Sequence, residues 1–250
     1  MLMSHNVIKE GAFLVADAHV NKNRDEFYSF LEQIRDNILK PTQLFLMGDI
    51  FDLLIGGVKY TQKANQKYID LINEISKRVE TFYFEGNHDF NLKKLFPRVK
   101  TFSYSNQPTL FSLNHDKVLL LHGDKATPFS YILYTTIIRS KLFLSSISFV
   151  DNILNGYISK RILDMQYSKI LCRDIDNFEN IVSKRIDKLL KSDIKVIIEG
   201  HFHQGREIEL KKDRKYINIS SFACNKSFII VQSHLSFKKV QFALDKGEDR

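Results

Sequence analysis

A chain of 250 residues, 44% hydrophobic and 26% charged, can bury one sizeable core and has a globular rather than a disordered or fibrous composition. It has no run of about 18 uninterrupted apolar residues, which argues against a spanning helix. The net charge of +8 would attract polyanions, but the lysines are spread as on a solvated surface and no ladder of basic and aromatic residues suits base stacking, so no nucleic-acid partner is expected.

In chain order, the apolar run 13–16 stops at Asp17, with His19 just beyond. It is too short for a signal-peptide core. Residues 24–39 carry Phe27, Phe30, Leu31, Ile34 and Ile38 at spacings of three and four, which predicts an amphipathic helix ended by Pro41. The run 44–47 stops at Gly48-Asp49. A loop with Gly56-Gly57 follows, then a helix carrying Tyr68, Leu71, Ile72 and Ile75. The run 82–84 leads to Gly86-Asn87-His88-Asp89, and 118–121 leads to His122-Gly123-Asp124. Residues 126–172 have little strand character and read as a helical insert. A further helix is expected over 174–190. The run 196–198 ends at Gly200-His201-Phe202-His203. Segments 206–210, 215–219, 228–232 and 237–243 are short, β-branched and aromatic, and read as an antiparallel meander.

Continuous apolar runs alternating with helices predict an α/β fold with a helix-covered sheet. The meander adds a second sheet, packed on the first with helices outside. The whole length, 1–250, reads as a single domain. Ligands of such sheets bind beyond the carboxyl ends of the strands, so five strand ends can aim Asp, Asn and His side chains at one place. Cys172 and Cys224 lie far apart in sequence, have no CxxC pattern and are too few for a disulfide framework. They are read as thiols in a reduced, cytosolic setting.

On an extended segment Asp17 and His19 leave on the same side, as do His201 and His203. With Asp49, Asn87 and His122 they make a set of seven oxygen and nitrogen donors suited to a borderline divalent ion, Mn²⁺, Fe²⁺ or Zn²⁺. Seven are too many for one ion. Two ions about 3.5–4 Å apart sharing Asp49 fit better, and such a pair grips a phosphate ester and activates water for in-line attack on phosphorus. His88, next to Asn87, would lie within reach of a bound phosphate as catalytic acid or charge stabiliser. Asp52, Asp89 and Asp124 could orient ligand histidines. In the insert, Phe129, Leu133, Ile137 and Phe143 could line a slot for acyl chains. Arg139 and Lys141 could meet phosphate or lipid headgroups. The plainer reading of the insert is a helical hairpin over the core.

Asp17-Ala18-His19, Gly48-Asp49-Ile50-Phe51-Asp52, Gly86-Asn87-His88-Asp89, His122-Gly123-Asp124 and Gly200-His201-Phe202-His203 together resemble the calcineurin-like metallophosphoesterase superfamily. The resemblance implies a β-sandwich of two mixed sheets flanked by helices. It also implies one metal at Asp17, His19, Asp49 and His203 and a second at Asp49, Asn87, His122 and His201. Within the superfamily, the Gly-Asp-Ile-Phe-Asp and His-Gly-Asp motifs and the helical insert look most like the UDP-2,3-diacylglucosamine pyrophosphatases of lipid A synthesis. Those enzymes release UMP and lipid X, typically with Mn²⁺, and their better-known members carry Arg where this chain has His88. The resemblance implies a lipid-linked nucleotide substrate and peripheral contact with the cytoplasmic face of the inner membrane. Hydrolysis of soluble nucleotides or other phosphate esters is the alternative.

Overall fold

The computed structural model describes residues 6–125, 135–167, 169–186, 193–233 and 235–243. Two mixed sheets face each other. The first has the order β13-β12-β1-β2-β4-β6, built from β1 (Phe13–Val15), β2 (Gln43–Leu46), β4 (Glu80–Phe84), β6 (Lys100–Phe102), β12 (Ser227–Val231) and β13 (Phe237–Gln241). The second has the order β10-β11-β9-β8-β7, from β7 (Thr109–Leu113), β8 (Asp116–Leu121), β9 (Ile194–Glu199), β10 (Glu207–Leu210) and β11 (Arg214–Asn218). A short ribbon pairs β3 (Leu54–Ile55) with β5 (Asp89–Phe90).

Successive strand residues point to opposite faces, and here both faces are covered. Leu14, Phe45, Phe82, Phe84, Val118, Leu120, Val196 and Ile198 interdigitate between the sheets. Phe13, Val15, Leu44, Leu46 and Tyr83 face outward under α1 (Glu26–Arg35) and α3 (Gln66–Ile75), which follows α2 (Lys59–Ala64). On the other outer face Leu119, Leu121 and Ile197 pack beneath Phe178, Val182 and Ile186 of α6 (Phe178–Ile186). Burying each such side chain contributes about 1.5–3 kcal/mol. This two-faced burial is why the strands read as unbroken apolar runs.

Register brings the motif loops together. The parallel pairs Val15↔Leu46 and Leu46↔Tyr83 level the carboxyl ends of β1, β2 and β4. Across the sandwich, Leu121↔Glu199 aligns β8 with β9, and Gly200 N donates to His122 O at 2.8 Å.

Four expectations need correction. The segments read as one meander divide between the sheets: β10 and β11 form a hairpin beside β9, whereas β12 and β13 form another beside β1. The first helix is shorter than 24–39. It ends at Arg35, Asn37 turns to φ 60°, and Ile38 is 62% exposed. The helix expected over 174–190 begins only at Phe178, and 187–190 lies outside the described residues. Cys172 and Cys224 are not separate thiols; they form a disulfide across 52 residues of sequence.

The insert contains α4 (Lys141–Ile153) and α5 (Tyr157–Tyr167), while 126–134 lies outside the described residues. Asp151 joins the two helices by accepting Ser159 N at 3.0 Å and Ser159 Oγ at 2.6 Å. Ser148 Oγ donates to Gly57 O at 2.6 Å, which sets α4 over the β3–β5 ribbon. Among the described residues no helix is long and apolar enough to cross a membrane.

Candidate metal centre

Five of the seven expected ligands have left-handed backbone: Asp17 (φ 52°), His19 (φ 44°), Asp49 (φ 50°), His201 (φ 64°) and His203 (φ 62°). Outside glycine this conformation is uncommon and costs about 1–3 kcal/mol per residue, so the surroundings must impose it. Backbone bonds do so: Asp17 N to Gly48 O at 3.0 Å, His19 N to Asp49 O at 3.0 Å, and Ala223 N to Asp17 O at 3.1 Å. The reading that extended alternation pairs these side chains is therefore corrected. Asp17 and His19 meet through a turned backbone. The same turning sends His201 and His203 to different groups.

Asp17, His19 and His203 bring ligand atoms within 4.8 Å of one another, and so do Asp49, His122 and His201. His203 Nε2 lies 3.3 Å from Asp17 Oδ1, and His122 Nε2 lies 3.4 Å from Asp49 Oδ2. The groups abut, since His201 N donates to Asp17 Oδ2 at 2.9 Å. Glycine permits this closeness: a Cβ on Gly86 would stand 2.1 Å from Asp49 Oδ1, and one on Gly48, itself at φ 90°, would stand 2.4 Å from His122 Nδ1.

The donor set fits divalent cations. His19 Nε2, His122 Nε2 and Asn87 Oδ1 are buried without a hydrogen-bond partner, an arrangement that costs free energy unless something binds there. Three rings donate from the opposite nitrogen and so leave the Nε2 lone pair to the centre. His19 Nδ1 donates to Asp52 Oδ1 at 3.2 Å, His122 Nδ1 to Met47 O at 2.9 Å, and His203 Nδ1 to Leu171 O at 3.0 Å.

Electrostatics separates the groups. Burial opposes charge on Asp49, but the facing His122, His88 and His19 imidazoles hold its carboxyl well below the usual range. Burial likewise opposes charge on Asp17, and His203 outweighs it, so that carboxyl is also lowered. His122 is raised by Asp49 against its own burial, and His203 is raised by Asp17. His201 falls to about 3, from burial and then from His122. Both carboxylates stay ionised and His201 stays neutral, and cations binding there would displace the protons that Asp49 and Asp17 favour on His122 and His203.

The three aspartates expected to orient histidines have different surroundings. Asp52 accepts His19 Nδ1 and also takes Arg24 Nη2 at 2.6 Å. Asp89 grips backbone: it accepts Asp49 N at 3.0 Å, Ile50 N at 2.6 Å, Gly86 N at 2.9 Å and the Tyr83 hydroxyl at 2.7 Å. Asp124 stands 3.5 Å from Arg139 Nη2, and burial raises its carboxyl. His88 Nδ1 donates to Asp52 O at 2.9 Å, and Lys169 Nζ donates to His88 Nε2 at 3.5 Å. Burial lowers His88 below the usual imidazole value, against the pull of Asp49.

Of the expected substrate contacts, Arg139 turns inward, giving Nη2 to Gly86 O at 2.9 Å and stacking on Tyr104 and Phe90. It ties the insert to the Asn87–His88 loop. Phe143 lines a cavity of about 410 Å³ together with the polar Asn87, His88, Thr135, Gln166 and Lys169 and the apolar Leu53, Ile55, Phe90, Ile138, Leu144, Ile147 and Ile162. Ile137 is 48% exposed and does not line it. Phe129, Leu133 and the Lys141 side chain lie outside what is described.

Sequence reasoning missed Lys169, Arg24 and the pair Arg185–Glu199. Arg185 donates to Glu199 Oε2 at 2.8 Å and to Gly123 O at 2.7 Å, which joins the end of β9 to the loop after β8. A glutamate closing an otherwise apolar run was a legible sign of such a pair. Lys169, in an irregular stretch, gave no sign.

Residues 13–205 match the family model of the calcineurin-like phosphoesterases. A UDP-2,3-diacylglucosamine hydrolase of Vibrio atlanticus (strain LGP32) is 23% identical over 224 residues, 85% of this chain and 84% of that protein. One from Blochmanniella pennsylvanica (strain BPEN) is 25% identical, covering 81% and 83% of the two chains. A dimetal phosphatase structure from Danio rerio superposes with TM-score 0.45 at 11% identity, over 94% of this chain and all of that one (100%). The chain belongs to the calcineurin-like phosphoesterase family and is a metal-dependent phosphoesterase.

Proposed function

We propose that this enzyme hydrolyses the pyrophosphate of UDP-2,3-diacylglucosamine to UMP and lipid X, using two divalent ions, foremost Mn²⁺. Asp17, His19, Asp49 and His203 would hold one ion. Asp49, Asn87, His122 and His201 would hold the other. Bound there, the ions supply Lewis acidity and an activated water for attack on phosphorus. The side chains divide the remaining work. Asp52 through His19, Met47 O through His122 and Leu171 O through His203 fix the imidazoles. The Lys169 ammonium, at His88, meets phosphoryl charge at the mouth of the cavity. His88, with its Nδ1 proton committed to Asp52 O, places its ring against the phosphate.

One observation carries the substrate: one cavity is lined both by Asn87 and His88 and by a majority of apolar side chains. A site with a few polar groups beside the expected metal ligands and otherwise apolar walls suits a phosphate joined to acyl chains. The curated relatives named for that substrate support the same reading. Leu142, Phe149 and Ile153 of α4 are 84%, 67% and 63% exposed, apolar surface suited to peripheral contact with the cytoplasmic face of the inner membrane.

The test compares turnover of UDP-2,3-diacylglucosamine with that of bis-p-nitrophenyl phosphate and cyclic nucleotides, with Mn²⁺. The lipid substrate should be preferred, and Phe143→Glu should raise KM for it alone. Faster turnover of the soluble esters would make this a general phosphodiesterase.

A further inference from the structure

The disulfide lies where it can act on the metal centre. Residues 169–175 have no helix or strand bonds of their own, yet this stretch carries two groups of the site: Lys169 at His88, and the Leu171 carbonyl that accepts His203 Nδ1 at 3.0 Å. Among the described residues its remaining ties are few, and one of them, Lys169 N to Gln166 O at 3.1 Å, only continues the preceding helix. Gln204 Oε1 accepts Ile175 N at 2.9 Å, Gln204 Nε2 donates to Arg173 O at 2.9 Å, and Cys172 is bonded to Cys224. Cys224 belongs to α7 (Phe222–Asn225), whose first turn is fastened to the Asp17 loop: Phe222 N donates to Ala16 O at 2.9 Å and Ser221 Oγ to Asp17 O at 2.8 Å. The bond therefore joins the backbone under Asp17 to the backbone behind His203, two ligands of the same group. Among the described residues the other group has no such tie: His122 leans on Met47 O within the sandwich.

We propose that Cys172 and Cys224 are positioning residues whose thiol–disulfide state sets how tightly the Asp17–His19–His203 group holds its ion. The inference rests on the two-ion reading above. Cys172 is exposed, so a dithiol can reach it. A thiolate of the dithiol attacks Cys172 Sγ and releases the Cys224 thiolate, which takes a proton. The second thiol then displaces Cys172 and leaves as the cyclic disulfide. Two electrons and two protons pass to the protein. Oxidised glutathione reverses the change. In a reducing compartment, where the function above places the enzyme, disulfides are usually transient and redox-sensing rather than permanent. Once reduced, 169–175 keeps its Gln204, Leu171 and Lys169 bonds and the packing of Ile175, but the carbonyl that supports the His203 ring is no longer tied covalently to the Asp17 side.

The experiment titrates metal-stripped protein with Mn²⁺ alone by calorimetry, before and after dithiothreitol treatment and desalting, with thiols counted in urea. Oxidised protein should show no free thiol and two Mn²⁺ sites. Reduced protein should show two thiols, one site weakened about 10-fold or more and the other unchanged, with recovery after oxidised glutathione. A Cys172→Ala/Cys224→Ala variant should bind Mn²⁺ like the reduced protein and ignore dithiothreitol. Identical isotherms in both states overturn the clasp alone, as do two thiols that resist oxidation. Loss of far-UV circular dichroism on reduction also overturns it, by showing a global staple. Failure to bind Mn²⁺ in either state removes the two-ion reading and the clasp with it.

Discussion

The Asp89 carboxylate accepts the backbone amide of Asp49 at 3.0 Å and, with its other oxygen, the amide of Ile50 at 2.6 Å. A strand end 40 positions away thus fixes the turn that presents the candidate bridging ligand. Burial and the neighbouring Asp49 charge push Asp89 up to about 7, yet every contact named for it is a donor.

Asp89→Asn should therefore be destructive despite its matching shape. An amide NH₂ would face amide or hydroxyl donors, and leaving buried donors unpaired costs about 1–3 kcal/mol. Urea denaturation should show a loss of that size, with weaker Mn²⁺ binding. An unchanged midpoint would refute the role of Asp89 in setting the turn.

Asp49→Ala removes the carboxylate beside His122, whose charge also acts on Asp17 and His19 of the other group. Loss of a shared ligand should cost several kcal/mol of transition-state stabilisation, on the order of 10³-fold in kcat. The check is steady-state turnover at saturating Mn²⁺, with circular dichroism to confirm the fold.

Asp52→Ala frees the His19 ring and strips Arg24 of its 2.6 Å partner. The apparent Mn²⁺ dissociation constant should rise about 10–100-fold with the fold intact. Calorimetry on the stripped protein reads this directly, and an unaltered constant would show that His19 needs no such support.

Glu80 offers a pH-dependent test away from the metal centre. Burial opposes its charge, but Lys100 at 2.7 Å, Gln43 at 2.8 Å and Lys9 at 3.2 Å outweigh it and lower the carboxyl to about 2. A depressed carboxyl contributes stability that is present above the ordinary value of 4.5 and is lost as pH falls towards 2. Because the pairs are solvent-screened, Glu80→Gln should cost under about 1 kcal/mol at pH 7. That difference should shrink below pH 4.5 and vanish near 2, measured by denaturation across the range.

The motifs were legible because their signal is local. An apolar run that stops at Asp17, at Asp49 or at His122 declares a buried strand and an unusual terminus at once, and the two-sheet sandwich follows from the two-faced burial of Leu14 and Val15 or of Leu120 and Leu121. The ends of helices were less legible, since the turn at Asn37 depends on packing rather than on periodicity. The sheet that β10 and β12 would each join was not legible either, because a short β-branched segment pairs equally well with any open edge.

By itself, then, the amino-acid order determined the elements, the apolar faces and the inventory of metal-seeking side chains, all of which depend on neighbours within a few residues. Tertiary structure decided the backbone that divides that inventory, a division that the family resemblance implied and residue spacing did not. Left-handed turns at His201 and His203 send histidines two positions apart to different groups, Arg139 is drawn inward to Gly86, and Cys172 meets Cys224. Each of those outcomes depends on backbone conformations and contacts between distant segments, which exist only after the sheets have paired and packed.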